Sequence, residues 1–145
     1  MFKSILFPTD GSDLSDKATA IAMEFARLHQ SRITAVTVIE PLLMPTMGDG
    51  GAVLDAGQYE TQMQAAARDH INKVAAAASA AGVPFEGVIA MSAKPADQIV
   101  EAAEKYGCDL IMMASHGRSG LSKLLMGSET QSVLSGTSLP VLVLR

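Results

Sequence analysis

The chain has 145 residues, of which 48% are hydrophobic and 18% charged, and its net charge at pH 7 is −4. This composition predicts one folded domain over residues 1–145, because disordered chains have fewer apolar residues and more net charge. The single cysteine excludes an internal disulfide framework and a cysteine-based zinc site. No basic run marks a nucleic-acid surface, no apolar stretch approaches the ~18 residues of a membrane span, and the first residues do not resemble a signal peptide. We therefore expect a cytoplasmic protein with no nucleic-acid or membrane partner.

The first elements are a strand, a helix and a second strand. The apolar run from Ile5 to Phe7 stops at a Pro-Thr-Asp-Gly turn, which predicts a buried strand. Ser12 is predicted to cap the following helix, and the run from Ile33 to Ile39 is rich in β-branched residues, as in a strand. The 3.6-residue period predicts an inward helix face of Ala18, Ile21, Ala22, Phe25 and Leu28.

A long irregular stretch separates this strand from the next helix. The segment from Pro41 to Gly57 contains two prolines and four glycines, and loops of this length are often functional. The sequence leaves open whether it closes over a ligand. A long helix is predicted from Tyr59 to Gly82, with an inward stripe of Met63, Ala66, Ala67, His70, Ile71, Val74 and Ala78.

The second half of the chain continues the alternation. It predicts a strand from Pro84 to Met91, a helix from Pro95 to Gly107, a strand from Asp109 to Met113, a helix from Ser128 to Leu134 closed by Gly136, and a strand from Pro140 to Leu144. Five apolar strands alternating with helices indicate an α/β fold with a single open parallel sheet covered by helices on both faces. In such folds ligands bind beyond the carboxyl ends of the strands.

The segment after the fourth strand is the candidate phosphate loop. A strand, a small-residue loop and a helix start can hold an anion on free backbone N–H groups. Neither GxxxxGK(S/T) nor GxGxxG is present, which disfavours P-loop and ordinary dinucleotide folds. The spacing instead is Ala114, two residues, Gly117, nine residues, and then Gly127 and Ser128. In isolation, Gly127 and Ser128 suit a plain helix cap better than a phosphate site.

This spacing resembles the universal stress protein family, whose nucleotide-binding branch has a glycine, two residues, a glycine, nine residues, and a glycine followed by serine or threonine. Gly117, Gly127 and Ser128 match, and Ala114 stands where the family has its first glycine. The resemblance extends from the strand before Pro8 to the strand after Pro140. It implies a Rossmann-like fold of the adenine nucleotide alpha hydrolase type.

The resemblance also implies a nucleotide site. It places Asp10 near the adenine and ribose, Val38 against the adenine through its backbone, and Met113 and Ala114 beside the ribose. Arg118 would neutralise phosphate charge. The full implied set is Pro8, Thr9, Asp10, Val38, Met113, Ala114, His116, Gly117, Arg118, Gly127, Ser128, Glu129 and Thr130. On residue type alone, Val38 and Met113 suit the core, and Asp10 suits its own turn.

The implied ligand is ATP or AMP, with or without Mg²⁺, and the implied role is that of a sensor or regulator. At most slow ATP hydrolysis is expected, because no residue stands out as a general base. The family further implies a homodimer through the last strand, and a short apolar terminal strand suits a sheet edge. The residues of that strand are Val141, Leu142, Val143 and Leu144.

Two other functions stay open. Ala114 and the acidic Glu129, which would repel a phosphate at the helix start, are compatible with a scaffold that acts through protein contacts without nucleotide. The stretch from Thr9 to Asp13 faintly resembles the SGGxDS pyrophosphate loop of adenylate-forming enzymes. His116 has no catalytic partner in the sequence and is interpreted as a loop residue, and the three histidines lack metal-ligand spacing.

Overall fold

The computed structural model describes residues 1–42, 56–117 and 126–145. Its elements, in chain order, are β1 (Ser4–Pro8), α1 (Asp13–His29), β2 (Arg32–Ile39), α2 (Ala56–Ala81), β3 (Phe85–Met91), α3 (Pro95–Lys105), β4 (Leu110–Ala114), α4 (Ser128–Gly136) and β5 (Val141–Leu144). The predicted alternation of strands and helices is confirmed. Most of the irregular stretch from Pro41 to Gly57 lies outside the described residues, as does Arg118.

The strands form one sheet in the order β3-β2-β1-β4-β5, and every neighbouring pair is parallel. This confirms the predicted fold class. The chain winds outward from β1 through β2 to β3 and then returns to the other side of β1, so the winding direction reverses between β1 and β4. The chain then continues from these two strands to helices on opposite faces of the sheet, and open α/β sheets bind ligands at such a switch point.

Both faces of the three central strands, β1, β2 and β4, are buried, which explains why these strands are largely apolar along their whole length. Neighbouring residues of a strand point to opposite faces. Ile5 and Phe7 pack in one cluster with residues of α1 and α2, and Leu6 packs in a second cluster with residues of α3 and α4. The sheet is therefore held between two helical layers.

The predicted inward face of α1 is partly wrong. Ile21 and Leu28 are 46% and 66% exposed, whereas Ala18 and Ala22 are buried as predicted. The buried face also holds Met23 and the small or polar residues Ser15, Thr19 and Ala26. The hydroxyl of Thr19 donates to the Ser15 carbonyl at 2.9 Å, so a polar side chain is accommodated inside the layer.

The predicted helix ends are largely confirmed. Ser12 is the N-cap of α1, and its hydroxyl accepts a hydrogen bond from the Ser15 N–H at 3.2 Å. Pro95 is the first residue of α3, and Gly82, with φ of +68°, follows the last residue of α2. Within the described ranges, no helix has the length and apolar character needed to cross a membrane.

Candidate functional site

A cleft of about 560 Å³ lies at the carboxyl ends of β1, β2 and β4, with α2, α3 and the start of α4 around it. This volume is in the range of small-molecule sites. Apart from Arg118, which lies outside the described residues, every residue of the implied nucleotide site lines this cleft: Pro8, Thr9, Asp10, Val38, Met113, Ala114, His116, Gly117, Gly127, Ser128, Glu129 and Thr130. The fold thus brings together residues from four separate segments.

The loop after β1 is organised by its own side chains. The Asp10 Oδ1 atom accepts a hydrogen bond from the Ser12 N–H at 3.0 Å, which forms a local turn of the kind that Asp favours. The next residue, Gly11, has φ of +71°, a conformation that suits glycine. The buried hydroxyls of Thr9 and Ser15 are 2.8 Å apart and hydrogen-bonded. This loop therefore presents Asp10 in a fixed position at the cleft.

The loops after β1 and β4 touch each other at Gly117. A Cβ atom added to Gly117 would lie 2.2 Å from the Asp10 Oδ2 atom. Any side chain at this position would require the Asp10 carboxylate to move. The carboxylate of Asp10 and the backbone of Gly117 consequently form one continuous wall of the cleft.

Helix α4 begins inside the cleft lining without a capping side chain. Gly127 is its N-cap, with φ of −61° and ψ of 152°, and Ser128 is the first helical residue. The first hydrogen bond of the helix runs from the Gln131 N–H to the Gly127 carbonyl, at 3.1 Å. The N–H groups of Ser128, Glu129 and Thr130 therefore have no acceptor within the helix. Of the two residues that the sequence offered as a helix cap, Gly127 is the N-cap and Ser128 is not.

Gly127 is also packed closely against the loop after β4. Its N–H donates to the Ser115 carbonyl at 2.8 Å. A Cβ atom at Gly127 would lie 3.0 Å from the His116 Cα atom and 3.3 Å from the Ser115 oxygen. The absence of a side chain lets the start of α4 approach the end of β4, and it leaves the backbone accessible from the cleft.

Thr130 ties the first turn of α4 to the end of β4. Its side chain is buried, and the Oγ1 atom donates to the carbonyls of Ala114 and Ser115, each at 3.1 Å. The hydroxyl is therefore engaged by the protein itself. Thr130 contributes to the site by holding α4 in place.

Ala114 is the last residue of β4 and is half-buried. The described non-glycine residues with positive φ are Phe2 and Gln30, so the backbone at Ala114 does not need a glycine. The departure from the family pattern therefore causes no backbone strain. Its remaining consequence is a methyl group in the cleft lining.

Val38 and Met113 belong both to the apolar core and to the cleft lining. Met113 is buried, Val38 is half-buried, and both belong to the apolar cluster between the sheet and α3 and α4. Both also line the cleft. They form the apolar floor on which a flat ligand could rest.

The charged residues of the described lining are acidic. They are Asp10, Glu40 and Glu129, and no Lys or Arg stands among the lining residues that the structure describes. His116 lies in the same lining, with its Nδ1 atom 3.1 Å from the Ser115 hydroxyl. A phosphate here would depend on backbone N–H groups, the α4 dipole and an accompanying cation. In residues 1–42, 56–117 and 126–145, no cluster of three acidic, histidine or cysteine side chains could by itself hold a metal ion.

One wall of the cleft was not identified from the sequence. It consists of the α2 residues Tyr59, Met63, Ala66, Ala67 and His70. The Tyr59 hydroxyl donates to the Glu40 carbonyl at 3.3 Å, and the His70 ring packs on Gly11. The predicted stripe assigned most of these residues to the core. Of these residues, Met63, Ala66 and His70 are only half-buried, and they line the cleft.

The sequence matches the universal stress protein family over residues 1–145. The chain belongs to this family. A universal stress protein of Thermus aquaticus is 33% identical to it over 146 residues, covering the whole of both chains. The universal stress protein MJ0531 of Methanocaldococcus jannaschii is 32% identical, covering all of this chain and 83% of the relative. The solved structure of the hypothetical protein MJ0577 has a TM-score of 0.85 at 26% identity, covering 99% of this chain and 96% of its own.

Two further universal stress proteins share the fold. One was solved in complex with cAMP, at 23% identity and a TM-score of 0.72, covering 99% of this chain and 97% of its own. The other, from Archaeoglobus fulgidus, was solved in complex with dAMP, at 19% identity and a TM-score of 0.69, covering 99% and 98%. At these identities the likeness concerns the fold alone.

Proposed function

We propose that this universal stress protein binds an adenine nucleotide, ATP or AMP, in the cleft, and that it acts as a cytoplasmic sensor or regulator of the stress response with at most slow ATP hydrolysis. The observation that carries the proposal is the start of α4, which lines the cleft with Gly127 as its cap. Uncapped N–H groups and the positive end of a helix dipole together attract phosphate.

The rest of the nucleotide is proposed to lie over the ends of β1, β2 and β4. Asp10 would contact the adenine and ribose, Val38 the adenine, and Met113 and Ala114 the ribose. The apolar floor and the fixed Asp10 turn support this placement. The cAMP and dAMP complexes of two proteins with the same fold support an adenine nucleotide as the class of ligand to test.

Mg²⁺ is proposed to accompany ATP. Three acidic side chains surround the cleft, and the described lining supplies no Lys or Arg. A divalent cation held by the phosphates would reduce the repulsion between a triphosphate and these carboxylates. We therefore expect ATP to bind more tightly with Mg²⁺ than without it, and AMP to depend less on the metal.

Calorimetric titration of the purified protein with ATP and AMP, with and without Mg²⁺, tests the proposal. The decisive pair of variants is Gly127→Asp with Gly127→Ala as its matched control. Both add the same Cβ atom close to His116, but only Asp adds a carboxylate that can cap the α4 N–H groups and repel phosphate. We expect a modest loss of affinity for Ala and a further loss of at least about tenfold for Asp.

Equal affinity of the Ala and Asp variants would show that α4 does not hold the phosphates. Absence of both binding heat and thermal stabilisation at millimolar ATP and AMP would refute nucleotide binding. That result would favour the second candidate, a nucleotide-independent scaffold, for which the acidic lining of Asp10, Glu40 and Glu129 is the supporting observation. An adenylate-forming activity stays a prediction, and failure to release pyrophosphate from ATP over a substrate panel would remove it.

A homodimer is proposed through β5. This strand is at the edge of the sheet and pairs only with β4 in the described chain, and Leu142 on it is 37% exposed. An open apolar edge favours pairing with another strand. Light scattering at micromolar concentration should give the mass of a dimer, and a Leu142→Lys variant should shift the mass toward that of a monomer. A wild-type monomer would contradict the proposal.

A further inference from the structure

The outward face of α1 carries a row of apolar side chains. Leu14, Ile21 and Leu28 are seven residues apart, close to two helical turns, so they lie in one line along the helix. Leu14 is half-buried, and Ile21 and Leu28 are 46% and 66% exposed. The row therefore faces away from the sheet and outside the described core.

Charged side chains run beside this row in a fixed order. Lys17 and Glu24 are also seven residues apart and lie in the middle of the exposed face. Asp16 and Arg27 lie on the far side of them, and Asp16 is 3.5 Å from Lys73 of α2. From one side of the exposed face to the other, the order is therefore the apolar row, then Lys17 and Glu24, and then Asp16 and Arg27.

This arrangement complements itself when two helices run antiparallel. Around a twofold axis at Ile21, Leu14 of one helix lies level with Leu28 of the other. Lys17 and Glu24, and likewise Asp16 and Arg27, are then one residue out of level, which is about 1.5 Å along the helix axis. A twofold axis normal to the plane of the two helices also brings each flank against the same flank of the other copy. The apolar rows then meet each other, and each charge meets its opposite.

We propose that the outward face of α1 is a docking surface for a second copy of this chain, joined antiparallel through its apolar row and its Lys17–Glu24 pairs. This surface is separate from the β5 edge, so it would join the units formed through that edge into larger assemblies. The contact is between two helices of 17 residues each. An interface of this kind falls below the ~1,200 Å² of stable complexes, so the association is weak.

Sedimentation equilibrium of the full chain, from micromolar to near-millimolar concentration, measures this association beyond the basal unit. Ile21→Glu places two carboxylates against each other at the twofold axis and should weaken the association at least about tenfold. The matched control is Met91→Glu, because Met91 is similarly exposed, at 43%, but lies on β3. The control should associate as the wild type does.

Exchange of the central charges gives the sharper test. Lys17→Glu or Glu24→Lys alone creates two like-charge contacts per interface and should weaken the association by about tenfold. The double variant restores opposite charges and should recover the wild-type association to within about threefold. Thermal denaturation of each variant verifies its folding. Wild-type association by Ile21→Glu, or failure of the double exchange to recover association, would overturn the proposal.

Discussion

Replacement of Thr130 by Val tests how the start of α4 is held. Val has nearly the same shape as Thr but cannot donate the hydrogen bonds that Thr130 makes to the carbonyls of Ala114 and Ser115, each at 3.1 Å. Ser115 keeps a second donor, the N–H of Gly127 at 2.8 Å, so the main loss falls on the Ala114 carbonyl. Thr130 is 2% exposed, and water cannot replace the lost donor without rearrangement.

The expected cost is that of one buried carbonyl that loses its donor, about 1–3 kcal/mol of unfolding free energy. For a chain of this size, a loss of 1 kcal/mol lowers Tm by about 3 °C, so Tm should fall by about 3–9 °C. The matched control is Thr130→Ser, which keeps the hydroxyl and removes one methyl group, at a cost of about 1 kcal/mol.

Urea denaturation gives the free energy of unfolding and thermal denaturation gives Tm, each followed for both variants by far-UV circular dichroism at one protein concentration. If α4 holds phosphate, the Val variant should also bind ATP more weakly than the Ser variant, because the helix start is no longer fixed to β4. A Val variant as stable as the wild type, or more stable than the Ser variant, would refute the reasoning. It would mean that the two hydrogen bonds contribute nothing net to folding.

Three further predictions follow from single contacts. Ala114→Gly removes a methyl group from the cleft lining, so calorimetry should show tighter nucleotide binding, while the free energy of unfolding should fall by about 0.5–1 kcal/mol. The control variant Ala90→Gly on β3 should show the same loss of stability but no tighter binding. Gly117→Ala should lower the free energy of unfolding in urea by about 1–3 kcal/mol, because its Cβ would lie 2.2 Å from the Asp10 carboxylate. This loss should be smaller in an Asp10→Ala background, whereas strictly additive losses for the two substitutions would contradict the contact. Burial raises the pKa of the Cys108 thiol above its ordinary 9.0. Iodoacetamide should therefore modify native Cys108 slowly at pH 8, faster as the pH rises past 9, and rapidly at pH 8 in urea. Because the thiol of the unfolded chain ionises at a lower pH than that of the native protein, the free energy of unfolding should fall slightly above pH 9. If iodoacetamide modified Cys108 at the same rate in the native and the unfolded protein at pH 8, a buried thiol would be excluded.

The local pattern of residues determined the order of the elements. Apolar runs of strand length, helix caps such as Ser12 and stop residues such as Gly82 act within a few residues of themselves, so they are legible in the sequence. The spacing of Gly117, Gly127 and Ser128 likewise indicated a phosphate loop at the end of β4, and the resemblance to the universal stress protein family indicated the residues around it. These residues share one cleft because parallel strands end at the same edge of the sheet.

The tertiary structure decided what depends on contacts between distant segments. Periodicity identified only part of the buried face of α1, because small residues such as Ser15 let that helix lie close to the sheet while the larger Ile21 stays outside. Nor could it indicate that Asp10 faces Gly117, or that Thr130 fixes α4 to the end of β4, because each contact joins segments that meet only when the sheet is assembled. The sequence by itself determined the elements, their order and the candidate loop. Only packing decided which faces are buried, which side chains hold the site together and that α2 forms one of its walls.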